Sequence, residues 1–177
     1  MRRWRIYGII ADHHWIDGAG KTAVLGEASD ILALRRIAHA AIDVDALGLA
    51  QFPSAVSTDS VMYSNLRSVC KNYAAAGVQR FILARALEDR DQLRLCREAA
   101  SATHTVVCSL TASVEAMQER VKIRESGLLQ QEYVVRVAKL NGLLDSARLE
   151  DFSVENENRS LTDVATEVLV KAGWIAS

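Results

Sequence analysis

One proline, Pro53, stands in the whole chain of 177 residues, and no Pro-, Gly- or Ser-rich stretch divides it. No linker, repeat or low-complexity segment stands out, so residues 1–177 read as a single domain. Cysteine is equally scarce. Cys70, Cys96 and Cys108 are odd in number, widely spaced and contain no C-x-x-C, which argues against a disulfide framework, a thiol metal site or a redox pair. They read as reduced, packed thiols of a cytoplasmic protein. Excess charge is missing too: 21 basic against 22 acidic residues leave a net −1, and nothing invites nucleic acid or an anionic membrane. Long apolar runs are absent. The basic start Met1–Arg5 leads only into Tyr7–Ala11 before Asp12 interrupts, too short for a signal-peptide core or a membrane span. With 50% hydrophobic and 24% charged residues, the composition is that of an ordinary globular domain able to bury a core. Oligomeric state has no signal in the sequence.

What is present is alternation. RIYGII at 5–10 reads as a strand, and Thr22 to Ala38 as a helix with Val24, Leu25, Ala28, Ile31, Leu32 and Leu34 on its apolar face. Ala40–Ile42 is a short strand running into Asp43-Val44-Asp45, and the stretch 49–58 around Pro53 is loop. A helix from Asp59 to Ala76 stops at Gly77. RFILAR at 80–85 is a strand, Asp89–Ala100 a charged surface helix, and HTVVCSL at 104–110 a third clear strand. Ser113 caps a helix Val114–Glu125, another helix covers Gln130–Ala147, and Asp151–Val154 is a last short strand. Ser160 opens the closing helix Leu161–Ala172, ended by Gly173. Short apolar strands alternating with helices predict an α/β fold with a parallel sheet covered on both faces. Ligands of such sheets bind beyond the carboxyl ends of the strands.

At the first of those ends stands Gly18-Ala19-Gly20-Lys21-Thr22, the second half of a Walker A phosphate loop, G-x-x-x-x-G-K-[ST]. Backbone N–H groups of such a loop cradle phosphates, the lysine reaches the outer ones, and the Thr hydroxyl ligates Mg²⁺. Gly18, Ala19, Gly20, Lys21 and Thr22 are therefore the candidate nucleotide-binding residues. Trp15 occupies the place of the first glycine, where an indole demands a different way into the turn. Three readings follow: a rebuilt turn that still binds ATP, a degraded loop in a non-catalytic binding domain, or a local scramble over residues 11–17.

Other strand ends carry further candidates. Asp43 and Asp45 cannot both face one site in ideal strand geometry, unless the chain turns where the strand stops. Arg85 emerges directly from an apolar strand and either grips a polyhydroxylated or anionic acceptor or pairs with Glu88 or Asp89. Arg120 and Arg124, four apart, share a helix face. Asp12, His13, His14 and Asp17 have poor spacing for a metal, since adjacent histidines on an extended chain diverge. A switch-type hydrolase is disfavoured: no D-x-x-G or N/T-K-x-D motif follows, and the strand ending Leu83-Ala84-Arg85 has no Walker B carboxylate.

Taken in order, GAGKT (18–22), IDVDAL (42–47), RFILAR (80–85), TVVCSLTAS (105–113), Arg120 with Arg124, and NRSLTDVA (158–165) resemble the small P-loop kinases of the adenylylsulfate-kinase-like and shikimate-kinase-like group. The resemblance covers nearly the whole chain from Gly18 onward. It implies the three-layer P-loop NTPase fold, a five-stranded parallel sheet of order 2-3-1-4-5 with helices on both faces, and ATP with Mg²⁺. It further implies γ-phosphoryl transfer to a hydroxyl of an unidentified small-molecule acceptor. Carried onto this sequence, Lys21, Asp45, Arg120 and Arg124 become the catalytic set, with Asp45 the base or acceptor-orienting group and the arginines part of a lid. Asp43 joins Thr22 on the metal side, and Asn158 and Arg159 lie where relatives pack against adenine. Asn65 and Arg85, with Asp45, are the candidate acceptor contacts.

Overall fold

The structure, a computed structural model, describes residues 7–12, 20–53, 56–87, 89–124 and 149–176, with the backbone alone for 7–12 and Arg124. Its elements run β1 (Tyr7–Asp12), α1 (Lys21–Leu34), β2 (Ala40–Asp43), a 3₁₀ turn (Asp45–Gly48) and α2 (Thr58–Ala75). There follow β3 (Arg80–Arg85), α3 (Arg90–Ala100), β4 (His104–Thr111), α4 (Val114–Arg124), β5 (Phe152–Glu155) and a last helix, α5 (Leu161–Lys171). The helix expected over Gln130–Ala147 lies outside the described residues.

The strands form one sheet in the order β2-β3-β1-β4-β5, every neighbouring pair parallel. Alternation along each strand divides the core between two faces. Phe81 and Leu83 of β3, with Ala40 and Ile42 of β2, pack towards α2 and α3 through Met62, Leu66, Leu93 and Cys96. Ile82 and Ala84, with Cys108 and Leu110 of β4, pack towards α1 and α5 through Leu25, Leu32, Val164 and Leu169. Both faces are apolar, which is why the strand sequences read as continuous hydrophobic runs. Cys70, Cys96 and Cys108 are buried free thiols, and burial with the neighbouring Cys96 pushes Cys70 up to about 12.

The register brings five strand ends to one edge: Asp12 lies opposite Arg85 and Ser109, Asp43 opposite Ala84, and Thr111 opposite Glu155. Several boundaries differ from the sequence reading: β1 runs on to Asp12 rather than ending at Ile10, and two others have a visible cause. β5 begins at Phe152 because Asp151 uses its side chain as well as its backbone: Oδ2 accepts the Val107 N–H at 2.8 Å, and its own N–H donates to Val107 O. α1 ends at Leu34 rather than Ala38, because Arg36 adopts φ 55° and reverses the chain, and Leu34, expected on the apolar face, is exposed at that last turn.

Candidate functional site

α1 begins at Gly20, whose φ of 87° is open to glycine and strained for other residues. A Cβ there would also stand 2.5 Å from the Asn156 amide nitrogen, so β5's following loop presses directly on the start of the helix. Among the described residues the start of α1 has no side-chain cap, and its first turn has no acidic residue. The starts of α2, α3 and α5 are different: Ser57, Asp89 and Ser160 cap them, and Asp59, Asp91 and Asp163 sit in their first turns. Helix N–H groups left without a cap, at the positive end of a helix dipole, suit an anion. Gly20, Lys21 and Thr22 stand at this helix start. Gly18, Ala19, Trp15, His13 and His14 lie outside the described residues.

Thr22 Oγ1 donates to Asp43 Oδ2 at 2.8 Å, joining the first turn of α1 to the end of β2. The other carboxylate oxygen, Oδ1, accepts the N–H groups of Asp45 at 3.1 Å and Ala46 at 3.3 Å. Asp43 thereby turns its own chain into the 3₁₀ segment. This resolves the difficulty of two aspartates on one strand: β2 stops at Asp43, and the turn sends Asp45 elsewhere. Among the described residues no group of three or more His, Cys, Asp or Glu could hold a metal. A Thr hydroxyl and one carboxylate oxygen in contact nevertheless fit Mg²⁺, which takes one or two hard protein oxygens and completes its shell with water and phosphate.

Asp45 meets Arg85, whose Nη1 donates to Asp45 Oδ1 in a short ion pair, while Nη2 lies 3.5 Å from Asp59 Oδ1. The guanidinium side chain is 9% exposed, its two carboxylates 43% and 53%. Burial works against the arginine's charge, but the Asp45 hydrogen bond and charge, with Tyr63 and Asp59, outweigh it and raise its pKa. Tyr63, four residues after Asp59 on α2, reaches the same guanidinium. Its phenol is pushed well above the ordinary value by burial, with Cys96 and Asp59 adding and Arg85 opposing. Arg85 Nε is buried without a hydrogen-bond partner among the described residues. The alternative partner Asp89 is engaged differently, since its carboxylate accepts the Gln92 N–H at 2.8 Å as the cap of α3. Glu88 lies outside the described residues. Asp59 and Tyr63 were not singled out in the sequence. Their signal is an acid and an aromatic four apart on one helix face, a pattern too common to single out. Asn65 donates its amide to Leu47 O at 3.0 Å and so holds the 3₁₀ turn that carries Asp45.

On the other side of α1, the loop after β5 ties to α4. Arg120 Nη2 donates to Asn156 O at 2.6 Å, and Glu157 accepts the Ser113 N–H at 2.7 Å and its hydroxyl at 2.9 Å. Those two Ser113 bonds, with Arg120 nearby, hold the Glu157 carboxyl below the usual carboxylate range. Arg120 therefore sits beside the residue that touches Gly20, and α4 is built onto the same edge. The side chain of Arg124 lies outside the described residues. Asn158 takes a left-handed φ of 54°, which asparagine tolerates. Arg159 donates to Glu155 O at 3.1 Å and pairs with Glu167 at 2.7 Å, so it fastens the β5–α5 connection.

No protein-family model and no curated protein sequence matches the chain. Solved structures match it along nearly its whole length. A gluconokinase from Sinorhizobium meliloti superposes with a TM-score of 0.59 at 17% identity, covering 97% of this chain and 94% of its own. A shikimate kinase from Acinetobacter baumannii in complex with shikimate gives 0.56 at 15% identity, with 98% and 97% covered. An APS kinase from Mycobacterium tuberculosis in complex with AMPPNP and APS gives 0.55 at 16%, with 94% and 97% covered. All three are P-loop small-molecule kinases, and the α/β fold of this chain is theirs.

Proposed function

We propose that the chain is an ATP-dependent phosphotransferase that moves the γ-phosphoryl group to a hydroxyl of a small molecule. The observation that carries this reading is the Thr22–Asp43 contact, which sets a phosphate-loop hydroxyl against a carboxylate two residues from Asp45. On this proposal a phosphate-and-metal side and an acceptor side adjoin at one sheet edge. The three similar kinases are consistent with it at the level of the fold.

In this reading Lys21 and the start of α1 bind the triphosphate, and Thr22 with Asp43 holds Mg²⁺. Mg·ATP supplies the transferable group and offsets the charge that builds during transfer. Arg85 occupies Asp45 Oδ1 and orients the carboxylate, leaving Oδ2 with no partner among the described residues. Oδ2 accepts the acceptor hydroxyl's proton as that oxygen bonds to phosphorus and the bond to the leaving ADP breaks. Arg120, with Arg124, closes from α4 over the phosphates, and Asn158 and Arg159 border the base.

Asp45→Asn separates the two sides of the site. The variant is expected to bind Mg·ATP as wild type does in calorimetry, while phosphoryl transfer falls by about 10²–10⁴-fold. Transfer at the wild-type rate would show that Asp45 is not the acceptor-side base. A degraded phosphate loop in a non-catalytic binding domain predicts no transfer by either protein.

A further inference from the structure

We infer that the acceptor site, if the phosphotransferase reading is right, takes a hydroxylated compound without an acid group, uncharged or amine-bearing. The inference comes from which atoms of the Asp45–Arg85–Asp59 cluster face outward. An arginine grips a carboxylate, sulfate or phosphate through one of two edges, the Nη1/Nη2 end or the Nε/Nη side. Both edges are closed here. Nη1 and Nη2 are each committed to a different aspartate, and Nε is buried away from solvent.

What the cluster exposes is carboxylate. Asp45 and Asp59 are 43% and 53% exposed around an arginine that is 9% exposed. One guanidinium between two carboxylates leaves a net charge of −1 on these three residues, and Asp43 stands two positions before Asp45. An incoming acid group would have to displace an aspartate from Arg85 or lie against like charge in a partly desolvated site. A hydroxyl or ammonium group, by contrast, donates directly to the exposed carboxylate oxygens. The same arrangement leaves Asp45 Oδ2 available to the reacting hydroxyl. Arg85 is thus a positioning residue for Asp45 rather than an anion receptor, and Asp59 keeps it so by holding Nη2.

The test is a thermal-shift titration of the intact protein, with and without Mg·ATP, against matched polyols. Each polyol is presented as its uncharged form, its aldonic acid and its amino form, such as glucose, gluconate and glucosamine. Uncharged or amino members are expected to raise Tm at about 10 mM, with the matching acids at least about tenfold weaker. Acids that bind as tightly or more tightly overturn the inference, as does the failure of every uncharged and amino member to bind. Asp59→Asn, at an exposed position, should move the preference at least about tenfold towards the acids. An unchanged preference overturns the assignment as well. Absence of any Mg·ATP shift strikes the phosphotransferase reading itself, and is read separately from the acceptor ranking.

Discussion

Gly20 is held by two constraints that act through different atoms. Its φ of 87° penalises any side chain through the backbone, and the buried Asn156 amide occupies the space a Cβ would need. Gly20→Ala should therefore lower stability to urea by about 1–3 kcal/mol, and an unchanged midpoint would show that the helix start relaxes freely. Thr22, Asp43 and Asp45 form a similar fixed set, with Asp43 spending one oxygen on Thr22 and the other on its own turn. Much of this was legible residue by residue. The glycine–lysine–threonine run stands out in the sequence by its spacing, and the paired aspartates by their place at a strand end, their roles coming from the family resemblance. Asp59 and Asn156 did not stand out, since their importance comes from a partner distant in sequence: Arg85 for the first, Gly20 for the second.

The helix ends show why some element boundaries could be read and others could not. α2 and α5 stop through glycines, Gly77 at φ 94° and Gly173 at φ 71°, with Val78 and Trp174 bonding back to Tyr73 and Leu169. α1 stops through the same hydrogen-bond pattern, Ile37 N–H to Leu32 O and Arg36 N–H to Ala33 O, but with arginine in the left-handed position. α3 does likewise with Ser101. In α1 the apolar periodicity runs on through Ile37 with no glycine to stop it, whereas in α3 it lapses after Ala100. Arg36→Gly should relieve that strain and raise stability by about 0.5–1 kcal/mol in a denaturant titration; a loss would mean that the arginine side chain contributes something the turn needs. The link between β5 and α4 has a pH signature. Because the Glu157 carboxyl is held below its unfolded value of 4.5, its contribution is present above pH 4.5 and is lost as pH falls through the lower folded value. Glu157→Gln is expected to be less stable than wild type near pH 7, with the gap closing under acid. A gap that stays constant down to pH 3 would contradict the Ser113–Glu157 clamp as its cause.

At the scale of the molecule, a sheet buried on both faces leaves its carboxyl edge as the place where polar groups gather. Asp43, Arg85, Thr111 and Glu155 all end strands there, and the start of α1 lies among them. The alternation of strand and helix announced this edge, because apolar runs can be satisfied only by helices on both faces. Which side chains pair across it could not be read, because Arg85 meets Asp45 and Asp59 only once β2, β3 and α2 are assembled. The proposed phosphate side of the site is tested most directly by a calorimetric titration of the intact protein with Mg·ATP, run beside Lys21→Ala. Wild type is expected to bind saturably, and Lys21→Ala about tenfold or more weakly through loss of a charge-assisted phosphate contact. No binding by wild type at millimolar nucleotide, or equal binding by both proteins, would contradict it.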